Sequence, residues 1–197
     1  EKAEAALMTR YTGGKVHSRH AILGLNPNGG GGIEVWQFTS RQPVKSGVQA
    51  LPGDLGIFSM SLKVRSIEDV INQLKKNKTN LISSPGFNPM EKKSIFIQDP
   101  EGNYLELIED ADDWYSKSGS VIGGIKGVQI GVSNIENSIL FYQEILGFDT
   151  RSSIYEGECK DFEQITGEKR SYRRVILTHS KERTGPFAKL LGSNRIE

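Results

Sequence analysis

Cysteine is all but missing from this chain of 197 residues, with Cys159 standing alone. A single thiol excludes an intramolecular disulfide and a cysteine-built structural zinc cage, and it fits a reducing, cytoplasmic setting. Neither sign of charge dominates. The 25 Lys and Arg against 24 Asp and Glu leave a net charge of +1, so there is no long-range field to draw nucleic acid or an anionic membrane surface. No apolar run approaches the ~20 residues that span a bilayer, and no signal peptide is visible. What is present is the balance of a globular protein: 36% hydrophobic and 25% charged residues. That balance buries one or two cores and argues against disorder, collagen-like repeats and a coiled coil.

Two strand-helix units stand out. Phe58-Ser-Met-Ser-Leu-Lys-Val64 alternates as a strand, and Ser66 then caps a helix whose apolar stripe is Val70, Ile71 and Leu74. Gly127-Val-Gln-Ile-Gly-Val132 opens a second unit. Asn134 is its cap, Ile135, Ile139, Tyr142 and Leu146 its stripe, and Gly147 its C-terminal stop. After the first helix come three strand-like runs, Asn80–Ser83, Ser94–Gln98 and Tyr104–Glu109. The Asp99-Pro-Glu-Gly-Asn103 turn joins the last two, because Pro presets φ and Gly and Asn accept positive φ.

The chain also matches itself end to end. Arg19-His-Ala-Ile-Leu23 resembles Arg173-Arg-Val-Ile-Leu177, and Gly32-Ile-Glu34 resembles Arg195-Ile-Glu197, with roughly nine extra residues around Glu182 to Leu191 in the later copy. The expected organisation is an incomplete first module at 1–45 holding only its last strands, a linker at 46–54, and a complete βαβββ module at 55–110 that pairs with the first. A linker at 111–124, whose Asp112 and Asp113 are read as solvated together with the preceding Asp110, then leads to an incomplete third module at 125–197. The module arithmetic predicts a parent protein of about 300 residues in four modules.

Three segments carry a resemblance: Asp99-Pro-Glu-Gly-Asn-Tyr-Leu-Glu106-Leu, the stretch Val132 to Phe148, and Val64-Arg-Ser-Ile-Glu-Asp69. They resemble the vicinal oxygen chelate superfamily, which groups glyoxalase I, extradiol dioxygenases and bleomycin-resistance proteins. The resemblance implies an α+β fold of repeated βαβββ modules, paired into half-open barrels around a cleft that takes a small molecule. It also implies a divalent ion, Fe, Mn, Ni or Zn, held by a His or Gln near the start of each first strand and a Glu on each fourth strand.

Carried over position by position, the fourth-strand acids are Glu34, Glu106 and Glu197, each facing either the cleft or the solvated side of an open sheet. With module one paired to module two, Glu34 and Glu106 would ligate the ion or act as base on a substrate C–H, as lyase or dioxygenase chemistry of this kind requires. The first-strand positions fall on Ser59 and Gly127, which are not ligands of that class. Ser61 and Gln129 lie two residues further on the same faces, and Gln129 ligates only in a shifted register. Ser59, Ser61, Gln129 and Trp36, which shares a face with Glu34, are the ligand-contacting set. The departures at Ser59 and Gly127 favour a second reading, a metal-free, non-catalytic cleft that sequesters a ligand as bleomycin-resistance proteins do. Module pairing between copies would give a homodimer.

The remaining residues read more simply. His17 and His20 fall on opposite faces of one strand, and His179 lies at a strand end. Gly29 to Gly32 lacks the Lys-Ser/Thr ending of a phosphate loop and leads into a strand, so it reads as a flexible hairpin connection. Cys159 has no predicted helix start beside it to lower its pKa. Arg170, Arg173 and Arg174 read as a solvated basic patch.

Overall fold

Ser66 and Asn134 start the two longest helices as the sequence requires. The computed structural model describes residues 2–4, 6–111, 114–116 and 119–197. In it the Ser66 hydroxyl accepts from the Asp69 N–H at 3.3 Å and the Asn134 side chain from the Asn137 N–H at 2.9 Å. Each bond satisfies one of the amide groups that a helix start leaves open. Helix α1 (Ile67–Lys76) buries Ile67, Val70 and Leu74. Helix α2 (Ile135–Leu146) stops at Gly147, whose φ of 71° is the left-handed conformation that glycine adopts without strain. Ile135, Ile139 and Tyr142 pack inward from α2, whereas Leu146, the fourth residue of the predicted stripe, is half exposed.

The strands form two sheets. A three-stranded antiparallel sheet holds β1 (Lys2–Glu4), β2 (Ser18–Gly24) and β3 (Ile33–Phe38). The other strands are β4 (Gly56–Val64), β5 (Gly86–Phe87), β6 (Lys93–Gln98), β7 (Tyr104–Glu109), β8 (Ile122–Gly131), β9 (Thr150–Glu158), β10 (Ser171–Thr178) and β11 (Arg195–Ile196). They make one curled, half-open barrel in the order β5-β6-β7-β4-β8-β11-β10-β9. Short helices α3 (Lys160–Thr166) and α4 (Ala188–Leu191) follow β9 and β10.

This order corrects the expected pairing. The complete module does not close against residues 1–45; its first strand β4 pairs antiparallel with β8, the first strand of the third module. The segment 1–45 contributes the β1-β2-β3 sheet, no strand of which pairs with β4. Its small sheet joins the barrel instead through main chain, with Gly31 N–H donating to Ile125 O at 2.7 Å, Ile125 N–H to Gly31 O at 2.9 Å and Gly124 N–H to Gly29 O at 2.8 Å. The Gly29 to Gly32 run is therefore a buried joint at Gly29 and Gly30, not a flexible loop. A Cβ on Gly30 would lie 2.7 Å from Gly124 Cα, so neither side of the joint has room for a side chain.

Asn80–Ser83 forms only a single bridge, Leu81 to Ile97. Beside it the Ile82 N–H donates to Phe96 O at 2.9 Å, and the Ser83 hydroxyl accepts from Phe96 N–H at 2.8 Å. The Asp99 turn is as expected, with Asp99 Oδ1 accepting from Glu101 and Asn103 N–H at 2.9 Å each.

Alternation along the strands separates two faces. Ile95, Ile97 and Leu107 pack with Val64, Ile67, Val70 and Leu74 beneath α1, and Val175, Leu177 and Ile196 pack beneath α2. Each fully buried side chain of this kind stabilises the fold by about 1.5–3 kcal/mol. Phe96 points to the concave face, where it joins Phe58, Tyr104, Cys159 and Phe162. A bulge between Ile57 and Ser59 breaks the alternation locally and lets Phe58 join that cluster.

Candidate functional site

The parallel pairs β4–β7 and β8–β11 carry the site. Their registers set Glu106 opposite Ser61 and, one residue past Ile196 on Val128, Glu197 opposite Gln129. Across the seam, Ser59 pairs with Gln129 and Ser61 with Gly127. The two halves are thus related by a pseudo-twofold axis in which Ser61 corresponds to Gln129 and Glu106 to Glu197. The residues facing the acids are Ser61 and Gln129, two positions beyond the Ser59 and Gly127 that the count assigned.

One buried polar network results. Ser61 Oγ donates to Glu106 Oε2 at 2.6 Å and Ser59 Oγ to Gln129 Oε1 at 2.6 Å. Gln129 Nε2 lies 3.4 Å from Glu106 Oε2 and 3.3 Å from Glu197 Oε2, bridging the carboxylates. Asn88 Nδ2 approaches Glu106 Oε1 at 3.4 Å. Glu106 is fully shielded from solvent. Burial raises its carboxyl above the ordinary value, outweighing the opposing pull of Arg195.

Two arginines complete the charge balance. Arg174 Nε donates to Glu197 Oε1, and its Nη1 donates to Asp161 Oδ2 at 2.7 Å. These two carboxylates hold the guanidinium strongly in its charged form against desolvation. Arg195 Nη2 stands 3.6 Å from Glu106 Oε2, in ion-pair range but beyond hydrogen-bond reach. Arg174 also lies over the Phe162 ring, 4.1 Å from its centroid. The expectation of a solvated patch is therefore wrong for Arg174, because α3 folds over the concave face and brings Asp161 to it. Asp110, also read as solvated, is buried and ion-paired with Lys126 at 3.1 Å and Lys92 at 3.5 Å. Asp112 and Asp113 lie outside the described residues.

Of the anticipated site residues, Ser59, Ser61, Glu106, Gln129 and Glu197 converge; Glu34 and Trp36 do not. Both are exposed on the three-stranded sheet, and Trp36 is covered by the Arg19 guanidinium at 3.3 Å from the ring centroid. Gly127 is glycine for a steric reason, since a Cβ there would sit 2.4 Å from Arg195 O and 2.7 Å from its Cγ. His17 bonds Ser40 at 3.0 Å and His179 the Gly147 carbonyl at 2.6 Å, each away from the network. Cys159 does precede a helix, α3, contrary to expectation, yet burial pushes its thiol upward. Sequence reasoning missed Arg195 and Asp161; the parity of Arg195 with Glu197, two residues apart on one strand, is the signal that points to it.

The donor set does not fit a divalent metal. Among the described residues, no three His, Cys, Asp or Glu side chains converge. Gln129 turns its oxygen to Ser59 and its amide N–H groups to the acids, so each carboxylate faces donors and a guanidinium where an ion would need lone pairs.

No family model and no curated protein matches the sequence. Solved structures do. A Glu-to-Gln mutant of glyoxalase I from Zea mays aligns with 100% of this chain and 57% of its own at 15% identity and a TM-score of 0.55. Glyoxalase I from Zea mays itself aligns over 92% of this chain and 53% of its own, at 18% identity and a TM-score of 0.53. The chain spans little more than half the length of these proteins. With the βαβββ modules paired through their first strands, the chain has the fold of glyoxalase I and of the vicinal oxygen chelate proteins.

Proposed function

We propose that this protein binds a small organic molecule on the concave face of its glyoxalase-like barrel, without a divalent metal. The observation that carries this reading is the pairing of the two fourth-strand acids with guanidinium groups, Glu197 with Arg174 and Glu106 with Arg195. Arg174 and Arg195 supply the positive charge that a bound ion would otherwise bring, and a buried carboxylate needs such compensation. Metal-dependent lyase or dioxygenase chemistry would require both pairs to break and Gln129 to turn its oxygen inward.

A cavity of about 400 Å³ reaches the network from the side of the third module. Its concave mouth is formed by Phe58, Gln129, Phe162, Tyr172 and Glu197. Aromatic faces and one amide suit a planar, partly apolar ligand. Because β4 and β8 pair within one chain, the cleft forms without module exchange between copies.

Equilibrium dialysis against Ni²⁺, Zn²⁺, Mn²⁺ and Fe²⁺ tests the metal-free reading: uptake stays below stoichiometric, and one tightly held ion per chain would overturn it. Titration with benzoate and catechol as probes, followed through the Gln129 side-chain amide resonances, tests the mouth. Saturable shifts are expected there, and their absence with both probes counts against the concave site.

A further inference from the structure

Helix α3 is carried on an excursion from the sheet. Glu158 and Ser171 pair with each other where β9 ends and β10 begins, so residues 159–170 leave the sheet and return to it at one place. A helix of seven residues has little stability of its own. This one also starts without a cap, since the Cys159 side chain bonds none of its first amides. The counterpart loop of the complete module, between β5 and β6, is pinned instead: Asn88 Oδ1 accepts from the Met90 and Lys92 N–H groups at 3.1 Å each.

Three side chains hold α3 down. Phe162 enters the aromatic recess of the concave face, edge-to-face with Phe58 at 5.7 Å and with Tyr172 at 5.1 Å between ring centroids. Asp161 reaches Arg174. Gln164, the third, is exposed, and its amide grips the main chain of Ser84. Ser84 N–H donates to Gln164 Oε1 at 2.7 Å, and Gln164 Nε2 donates to Ser84 O at 3.5 Å. That pair ties the third module to the complete one. Glycines stand near both feet of the excursion, Gly157 with a φ of 153° and Gly167 with a φ of 71°, and glycine accepts large changes of φ without steric cost.

We infer that residues 159–170 are a hinged cover latched by Gln164 on Ser84, and that Phe162 is a plug which a ring-bearing ligand displaces when the cover lifts. Phe58, Phe96 and Tyr104 line the recess that Phe162 fills, and Arg174 lies over its ring. The recess thus suits one aromatic ring and already holds one. With the cover down, Glu106 and Phe96 keep no more than 1% of their surface in solvent. The hinge stands apart from the ligand reading; the displacement of Phe162 rests on it.

Cys159, the one thiol of the chain, is buried beside Phe162 and reports on the cover. Its alkylation by iodoacetamide is expected to proceed at a rate that stays flat from zero to about 1 M urea, because lifting a short segment exposes little surface. Gln164→Ala should label about fivefold faster, as loss of one hydrogen-bonded latch gives, with an unchanged urea midpoint. Lys169→Ala, exposed on the same excursion, should label as the parent does. A rate that climbs with urea as steeply as unfolding does overturns the cover. So does an unchanged rate in Gln164→Ala, or a faster one matched by an equal loss of global stability.

The plug is tested by trypsin cleavage after Lys160 with and without saturating catechol. Cleavage is expected to rise roughly tenfold, as an open state of about 10% becomes the main one. Catechol that shifts the Gln129 amide resonances yet leaves cleavage unchanged or slower overturns the displacement. Catechol that shifts nothing counts against the concave site itself, and the alkylation rates then decide the cover alone.

Discussion

Ser59 and Gln129, which come from different modules, meet across the β4–β8 seam, with the serine hydroxyl donating to the amide oxygen at 2.6 Å. That bond decides which end of the amide faces the acids. With the oxygen engaged, the nitrogen lies between Glu106 and Glu197 as a shared donor. Ser59→Ala would leave a buried amide oxygen unpaired and free the side chain to turn. The expected cost is about 1–3 kcal/mol in urea unfolding, and a cost near zero would mean the bond does not fix the amide.

Arg174 holds Asp161 and Glu197 together beneath α3. Arg174→Met keeps much of the volume and removes the charge, leaving two buried carboxylates without their cation. We expect a loss of about 3–5 kcal/mol, partly recovered when Asp161→Asn and Glu197→Gln are added. Failure of the triple variant to regain stability over Arg174→Met alone would show that the arginine acts through packing on Phe162.

Glu106 gives the fold a pH dependence. Its carboxyl is raised above its ordinary 4.5 by burial, so ionising it costs more in the folded chain than in the unfolded one. Its contribution is fully present below 4.5 and is lost as the pH rises through the higher folded-state value. Glu106→Gln has no proton to lose there. The stability of the variant relative to the parent should therefore rise with pH above 4.5, by at most about 1.4 kcal/mol per unit. A difference that stays flat from pH 4.5 to 8 contradicts the assignment.

Gly124 is the barrel's side of the joint to the three-stranded sheet. A Cβ there would lie 2.6 Å from Gly31 O, so Gly124→Ala should release residues 1–45. The expected result is faster proteolysis within that segment while the amides of β4 and β8 keep their protection. Unchanged proteolysis would mean that the other contacts suffice.

Much of this fold is legible in local chemistry. Ser66, Asn134 and Gly147 bound their helices because capping depends on a few adjacent residues, and the Asp99 turn follows from proline and glycine preferences alone. Glu106 and Glu197 are recognisable as counterparts because each lies in a repeated apolar strand. Strand pairing is less legible, since any free first strand satisfies β4 equally and nothing within Phe58–Val64 names β8 as its neighbour. Arg174 escaped for a similar reason: its burial depends on Asp161, carried over the concave face by a helix inserted between two strands. Two residues in the register decide whether Ser59 or Ser61 faces an acid, and a count along one strand does not fix that without its partner.

The β4–β8 seam also bears on how the chain reaches this state. The β6–β7 hairpin closes over a five-residue turn and forms early, whereas Met60 and Val128 must meet across the whole intervening module before their ladder yields anything. Until the seam closes, each module presents its first strand as a bare edge of nearly the same shape. Two chains meeting at that moment would be able to trade halves, so raising the protein concentration during refolding is expected to increase the share of exchanged pairs, which size-exclusion chromatography reads.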